Sequence, residues 1–278
     1  MNPASPIADD VYFEHFFRLL EKNTGIALDM SKEYLVSSRL VSLAKKYGHS
    51  NYVELLKYLF LNPLNSIHQE CFQAMTTNET MFFRDGYPFE ALKTSILPRI
   101  IDQNKISKEI YIWCAASSTG QEPYSLVMML KENFPVLNNW NIHIKATDLS
   151  LAAIEKSRSG IYNQSEIQRG LTESQINRYF MKLPNGHFKL TDDIKKYVKF
   201  DCMNLVDDWP ILPKFDLILL RNVMIYFNQN TKLNILKKMH HQLSGKGSVL
   251  MLGSSESILY EETFQVVQLD RVSYYLKK

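Results

Sequence analysis

Apolar positions recur at helical spacing early in the chain and at strand spacing later. In VYFEHFFRLLEKNTG, Phe13, Phe16, Phe17 and Leu20 fall on one helix face, with Gly25 close beyond the end. SKEYLVSSRLVSLAKKYG repeats the pattern with Leu35, Leu40 and Leu43 apolar, Ser31 as N-cap and Gly48 as stop, and SNYVELLKYLF ends before Pro63. A small helical module is expected from Asp10 to about Cys71. After Pro88 the runs EIYIWCA, WNIHIKATD, KFDLILLRN and GSVLMLGS alternate with the helical PYSLVMMLKENF, SLAAIEKSR and TKLNILKKMHHQLS. That alternation predicts an α/β domain, a mostly parallel sheet covered by helices, and VSYYLKK after FQVVQLD adds an antiparallel edge. Gly160 to Phe200 breaks the rhythm with a short helix around Glu173 to Phe180 and a turn at Asn185-Gly186, which predicts an insertion carrying a hairpin.

Composition narrows the class without choosing a function. The 278 residues are 45% hydrophobic and 22% charged, enough for one large or two modest globular domains. A formal charge of +3 does not mark a nucleic-acid binder, and no nucleic-acid partner is expected. Cys71, Cys114 and Cys202 are far apart, without CxxC or Cys/His clustering, so free buried thiols in a reducing cytoplasm and no metal site are expected. MNPASPIADD has neither the charged nor the apolar segment of a leader, and no apolar run reaches membrane-spanning length, so an unanchored cytoplasmic protein is expected.

Chemistry concentrates where strands meet helices. In open α/β sheets ligands bind beyond the carboxyl ends of the strands, and the first strand-to-helix turn carries glycines that let backbone approach them. Here that turn is CAASSTGQE. Set on the D-x-G-x-G-x-G register of adenosyl-cofactor turns, Cys114, Ala116, Ser118 and Gly120 occupy the marked positions, so every replacement is small. Glu122 in the first helical turn would repel a pyrophosphate and suits an ammonium-bearing ligand, or is simply an acid favoured at a helix start. Asp148 ends the second strand, where a carboxylate takes ribose hydroxyls; the alternative is a helix cap, a job Ser150 can do and so leave Asp148 free. Arg221 and Asn222 cut into the apolar run FDLILLRNVMIYF, either at the sheet edge over a ligand or with Arg221 paired to a structural carboxylate. TTNETMFFRD, Thr76 to Asp85, reads as a binding segment or lid; the alternative is a capping box at Thr77 or Asn78 with its phenylalanines in the core.

Taken in order, TTNETMFFRD, WCAASSTGQEPYS, ATDLS, FDCMNL, LRNVMIYF and LGSSES, with GIALDMSKEYLVSSRL before them, make the chain resemble the CheR chemotaxis-receptor methyltransferases over almost its whole length. That family methylates receptor glutamates with S-adenosylmethionine. The resemblance implies a helical N-terminal domain over residues 1–76, then a Rossmann-like methyltransferase domain over 77–278 with a β-subdomain inserted at about 160–200. It implies cofactor contacts at Asn78, Thr80, Arg84, Ala115, Glu122, Asp148, Asn204, Leu205, Arg221 and Asn222, and places the family's tyrosine on Tyr226.

A glutamate of reference pKa near ~4.3 is already anionic at neutral pH, so the transfer needs positioning rather than a strong base. Arg84 and Tyr226 are the residues expected to orient it. One arginine is expected to pair the cofactor's carboxylate, Glu122 its ammonium and Asp148 its ribose. In the N-terminal domain Arg39, Lys45 and Lys46 are expected to meet acidic receptor helices, or form a solvated helix face. FMKLPNGHFKL makes a short connection, like relatives without a receptor-pentapeptide tether, so independence from such a tether is expected. The competing readings are methylation of another substrate and a cofactor-binding sensor or scaffold without activity.

Overall fold

A computed structural model of the chain describes residues 9–258 and 262–278. Residues 1–8, on which the no-leader reading partly rests, lie outside those described. The chain packs as two compact units. One holds the residues up to Thr77 with Asn204–Asp208 and Tyr226–Lys232; the other holds Asn78–Met203, Trp209–Ile225 and Leu233–Lys278.

The first unit is built on α1 (Asp9–Thr24), α2 (Glu33–Lys46), α3 (Tyr52–Leu61) and α4 (Ser66–Ala74). Phe13, Phe16, Phe17 and Leu20 are buried as their spacing predicts, against Leu40, Leu55, Leu59 and Phe72. Asn51 caps α3, and Asn65 caps α4 in a reciprocal box with His68, whose buried Nε2 donates to the Leu59 carbonyl at 3.0 Å. Ser31 is not the cap expected for α2. It sits inside a 3₁₀ turn, Met30–Lys32, and Asp29 accepts its N–H at 2.9 Å, because the turn opens two residues before Ser31. The helical pattern also hid two late additions. Ile26 bridges Phe227, and Gly25 is obligatory, since a Cβ there would lie 2.7 Å from Val206 Cγ1 at a φ of +79°.

The second unit carries a seven-stranded sheet from β1 (Glu109–Ala115), β2 (Asn141–Asp148), β6 (Val198–Cys202), β7 (Leu217–Leu220), β8 (Val249–Leu252), β9 (Phe264–Leu269) and β10 (Val272–Lys277). The order is β6-β2-β1-β7-β8-β10-β9, parallel as far as β8 and antiparallel through β10 and β9. Every side chain of β7 and β8 is buried, as expected of parallel strands covered on both faces. Flanking helices are α5 (Tyr87–Ala91), which runs through a π turn into α6 (Leu97–Gln103), then α7 (Gln121–Asn133) after β1, α8 (Leu151–Ser159) after β2, and α12 (Gln229–Gln242) before β8. Because β1 sits between β2 and β7, the order reverses there, which places a ligand crevice at the carboxyl ends of β1 and β7.

The predicted insertion is a separate antiparallel sheet, β3 (Ile161–Tyr162), β4 (Phe180–Lys182) and β5 (Phe188–Leu190) in the order β3-β5-β4, with Asn185-Gly186 between β4 and β5. It also carries α9 (Gln164–Gln168), α10 (Glu173–Tyr179) and α11 (Asp192–Lys195). Phe82 is fully buried among its rings, edge-on to Tyr162 at 5.2 Å and Phe180 at 5.7 Å. So Phe82 is plain core, while the capping box considered for Thr77 or Asn78 does not form: after α4 ends at Ala74 no helix starts until Tyr87.

Candidate functional site

The turn after β1 adopts the conformation its small residues allow. Ala116, Ser118 and Gly120 have φ of +58°, +51° and +92°, so left-handed backbone falls on the three positions where the adenosyl register expects glycine. Gly120 serves packing, because a Cβ would lie 2.9 Å from Ser157 Oγ of α8. Ser118 donates its hydroxyl to the Asn78 carbonyl at 2.8 Å, and Phe83 N–H donates to Ser125 Oγ at 2.9 Å, so the TTNETMFFRD segment is tied to the turn and to α7. That segment is irregular: Phe83 and Asp85 have positive φ, as does Gly86 just after it. Ala115, the last residue of β1, is buried.

Asp148 is not the free carboxylate expected. Its Oδ2 accepts the Ser118 N–H at 2.8 Å and its Oδ1 the Ser150 N–H at 2.9 Å, while Ser150 caps α8 as foreseen. With Leu149 N–H as a further backbone donor, at least one of its roughly four acceptor positions remains for a ligand hydroxyl. Burial pushes the Asp148 carboxyl above the ordinary carboxylate range against the pull of its backbone hydrogen bonds.

Arg221 pairs with carboxylates at the carboxyl end of β7, which is also the sheet edge where a ligand would lie. Its side chain is 2% exposed; Nη1 donates to Glu122 at 2.8 Å, and Nη2 to Asp85 at 2.9 Å and to the Arg84 carbonyl at 3.2 Å. Glu122 is therefore not a bare acid: burial raises its pKa, and Arg221 pulls it back. Arg84, whose Nη1 donates to the Glu79 carbonyl at 3.0 Å, keeps further donors unengaged. Three carboxylates, Asp85, Glu122 and Glu256, meet two guanidiniums here, a balance that favours a cationic ligand. Arg221 Nε is buried without a hydrogen-bond partner among the described residues, a gap that an acceptor on a ligand would fill.

Asn222 follows β7 at a φ of +60°, with its N–H on Glu256 Oε2 at 2.8 Å. Asp85 and Glu256 were not among the expected site residues although both lie in the quoted motifs; for Glu256 an acid among serines just after a strand was the available signal, and Asp85 in FFRDG carried none. Asn78 and Thr80 lie on the junction segment, exposed and half-buried. Three further residues belong to the helical unit. There Asn204 donates to the Asn23 carbonyl at 2.6 Å, Leu205 is buried, and Tyr226 packs against the core with its carbonyl accepting from Ala27 N–H at 2.9 Å. Of the basic residues, Arg39 donates to the carbonyls of Met75 (2.6 Å) and Thr76 (3.2 Å) and to Thr77 Oγ1 (3.0 Å). Lys46 pairs with Glu70 at 2.5 Å, and Lys45 is exposed. Cys71 and Cys114 are buried as expected, but Cys202 is exposed, because it ends the edge strand β6.

The family model of the CheR methyltransferase all-alpha domain matches residues 12–76, and that of the CheR methyltransferase SAM-binding domain matches residues 78–273. The chain belongs to the CheR methyltransferase family. It is 39% identical over 261 residues to the chemotaxis protein methyltransferase Cher2 of Pseudomonas putida, covering 92% of this chain and 94% of that one. It is 40% identical over 258 residues to chemotaxis protein methyltransferase 1 of Vibrio cholerae, covering 92% of each. This CheR-family chain is a methyltransferase dependent on S-adenosylmethionine, and its site suits that cofactor. The negative balance answers an ammonium and a sulfonium, Asp148 keeps acceptor capacity for a ribose hydroxyl, and the side chains of the turn are all small. Among the described residues no helix is long and apolar enough to cross a membrane.

Proposed function

We propose that the protein transfers a methyl group from S-adenosylmethionine to glutamate side chains on the cytoplasmic helices of chemoreceptors, without a C-terminal pentapeptide tether. The observation that carries the proposal is the full-length match to chemotaxis methyltransferases together with a site whose carboxylates outnumber its guanidiniums. The cofactor supplies an electrophilic methyl group on a sulfonium. The acceptor carboxylate needs no base, because it is ionised at neutral pH; an O–C bond forms as the S–C bond breaks, and no proton moves.

The protein's work is then holding and drying. Arg84 has donors to spare for a carboxylate, which suits either the cofactor's own or the acceptor's, and Tyr226 is the second orienting group proposed. Glu122, held by Arg221, offers its second oxygen to the ammonium, and Asp148 holds the ribose. Asn78, Thr80, Ala115, Asn204, Leu205 and Asn222 complete the proposed cofactor contacts. Lys45 and Lys46 are the proposed receptor contacts, with Arg39 acting through the helix end it braces. Peptide mapping of a receptor cytoplasmic fragment after incubation with enzyme and cofactor tests the assignment. Methyl groups should map to glutamates, and methylation confined to any other residue type would contradict it.

A further inference from the structure

The LGSSES motif, Leu252 to Ser257, has so far entered only through the charge of Glu256, and it lies at the carboxyl end of β8 beside the end of β7. Glu256 turns its carboxylate back onto backbone. Its Oε2 accepts the Gly253 N–H at 2.7 Å and the Asn222 N–H at 2.8 Å, and its Oε1 accepts the Ile225 N–H at 3.3 Å. Three donors from two strand ends therefore converge on one side chain. They need it: Asn222 has left-handed backbone and Ile225 lies in the 3₁₀ turn Met224–Tyr226, so neither N–H is placed to join the β7 ladder.

Gly253 is fitted to the same cluster. A Cβ there would stand 2.7 Å from Glu256 Oε2, 2.8 Å from Asn222 N and 2.9 Å from Asn222 Nδ2, so any side chain would push the carboxylate off the strand ends. The far side of the motif is anchored too, since Ile258 N–H donates to Tyr275 OH at 3.2 Å from β10. Glu256 reaches Asn222 through its backbone N–H and makes no hydrogen bond to the Asn222 side chain. What it sets is the backbone from which the Asn222 carboxamide projects, and that carboxamide has no hydrogen-bond partner among the described residues.

We propose that Glu256, with Gly253 making room for it, is a positioning residue that fixes the Asn222 carboxamide for cofactor binding by clamping the backbone N–H groups of Asn222, Ile225 and Gly253. The inference rests on the reading of Asn222 as a cofactor contact, and a double-mutant cycle separates the two. Calorimetric affinity for S-adenosylhomocysteine is measured on the full chain for wild type, Glu256→Gln, Asn222→Ala and the double variant, with thermal midpoints alongside.

Glu256→Gln keeps the shape but turns an amide N–H₂ toward N–H donors, and should weaken binding about tenfold. The double variant should bind within about twofold of Asn222→Ala alone, because the two act as one unit. Losses that multiply in the double variant would make Glu256 a general brace and overturn the proposal, as would unchanged affinity in Glu256→Gln. If Asn222→Ala itself binds normally, the cofactor reading of Asn222 falls and the inference with it; if only Glu256→Gln binds normally, the inference alone falls. Should Glu256→Gln not fold, Glu256→Asp goes through the same cycle: non-additive loss supports the proposal, and additive loss or none refutes it.

Discussion

Ala116 and Ser118 hold left-handed backbone that side chains resist, at a cost of about 1 kcal/mol each. Ala116→Gly should therefore leave stability unchanged or raise it by up to about 1 kcal/mol in urea denaturation, where an ordinary loop position would lose stability through unfolded-state entropy. A loss of about 1 kcal/mol would show that Ala116 is not strained. Ser118→Gly should gain less, since it also gives up the hydrogen bond to the Asn78 carbonyl. These positions were legible in the sequence because small residues at a fixed register imply a conformation. The partners of Arg221 were not, because Glu122 and Asp85 lie 99 and 136 residues before it, and only the fold joins them.

At the scale of elements, Arg39 projects from α2 onto the carbonyls that end α4, so its cation stabilises the helical unit from within. Arg39→Ala should cost roughly 2 kcal/mol in denaturation. A loss of receptor affinity with full stability would instead mark it as a direct contact. Asp148, at the end of β2, sets a pH dependence. Its folded pKa is raised, so its share of stability is complete below the unfolded value of 3.8 and is lost as pH rises through the raised one. The urea midpoint of wild type should thus fall relative to that of Asp148→Asn as pH rises from 3.8, and parallel curves would refute the shift. Strand alternation and helix faces showed in the apolar pattern, as did the insertion, because each has its own period. The return of the segments at Asn204–Asp208 and Tyr226–Lys232 to the helical unit did not, since short irregular pieces carry no period.

For the whole molecule, the family and its cofactor were legible in six ordered motifs, and the matches to both CheR models bear them out. Composition contributed little, because a net charge of +3 hides a site in which acids prevail. Glu122, read as an acid that would repel a pyrophosphate and suit an ammonium, turns out to be held by Arg221. What survives is the local excess of carboxylates around Arg221. The central claim concerns the acceptor, and it is tested most directly by transfer of radiolabelled methyl to a chemoreceptor cytoplasmic fragment, counted as base-labile label. The account predicts label on the wild-type fragment and none once its helix glutamates are replaced by alanine. Cofactor binding without base-labile label, or label that persists in the alanine fragment, would contradict it.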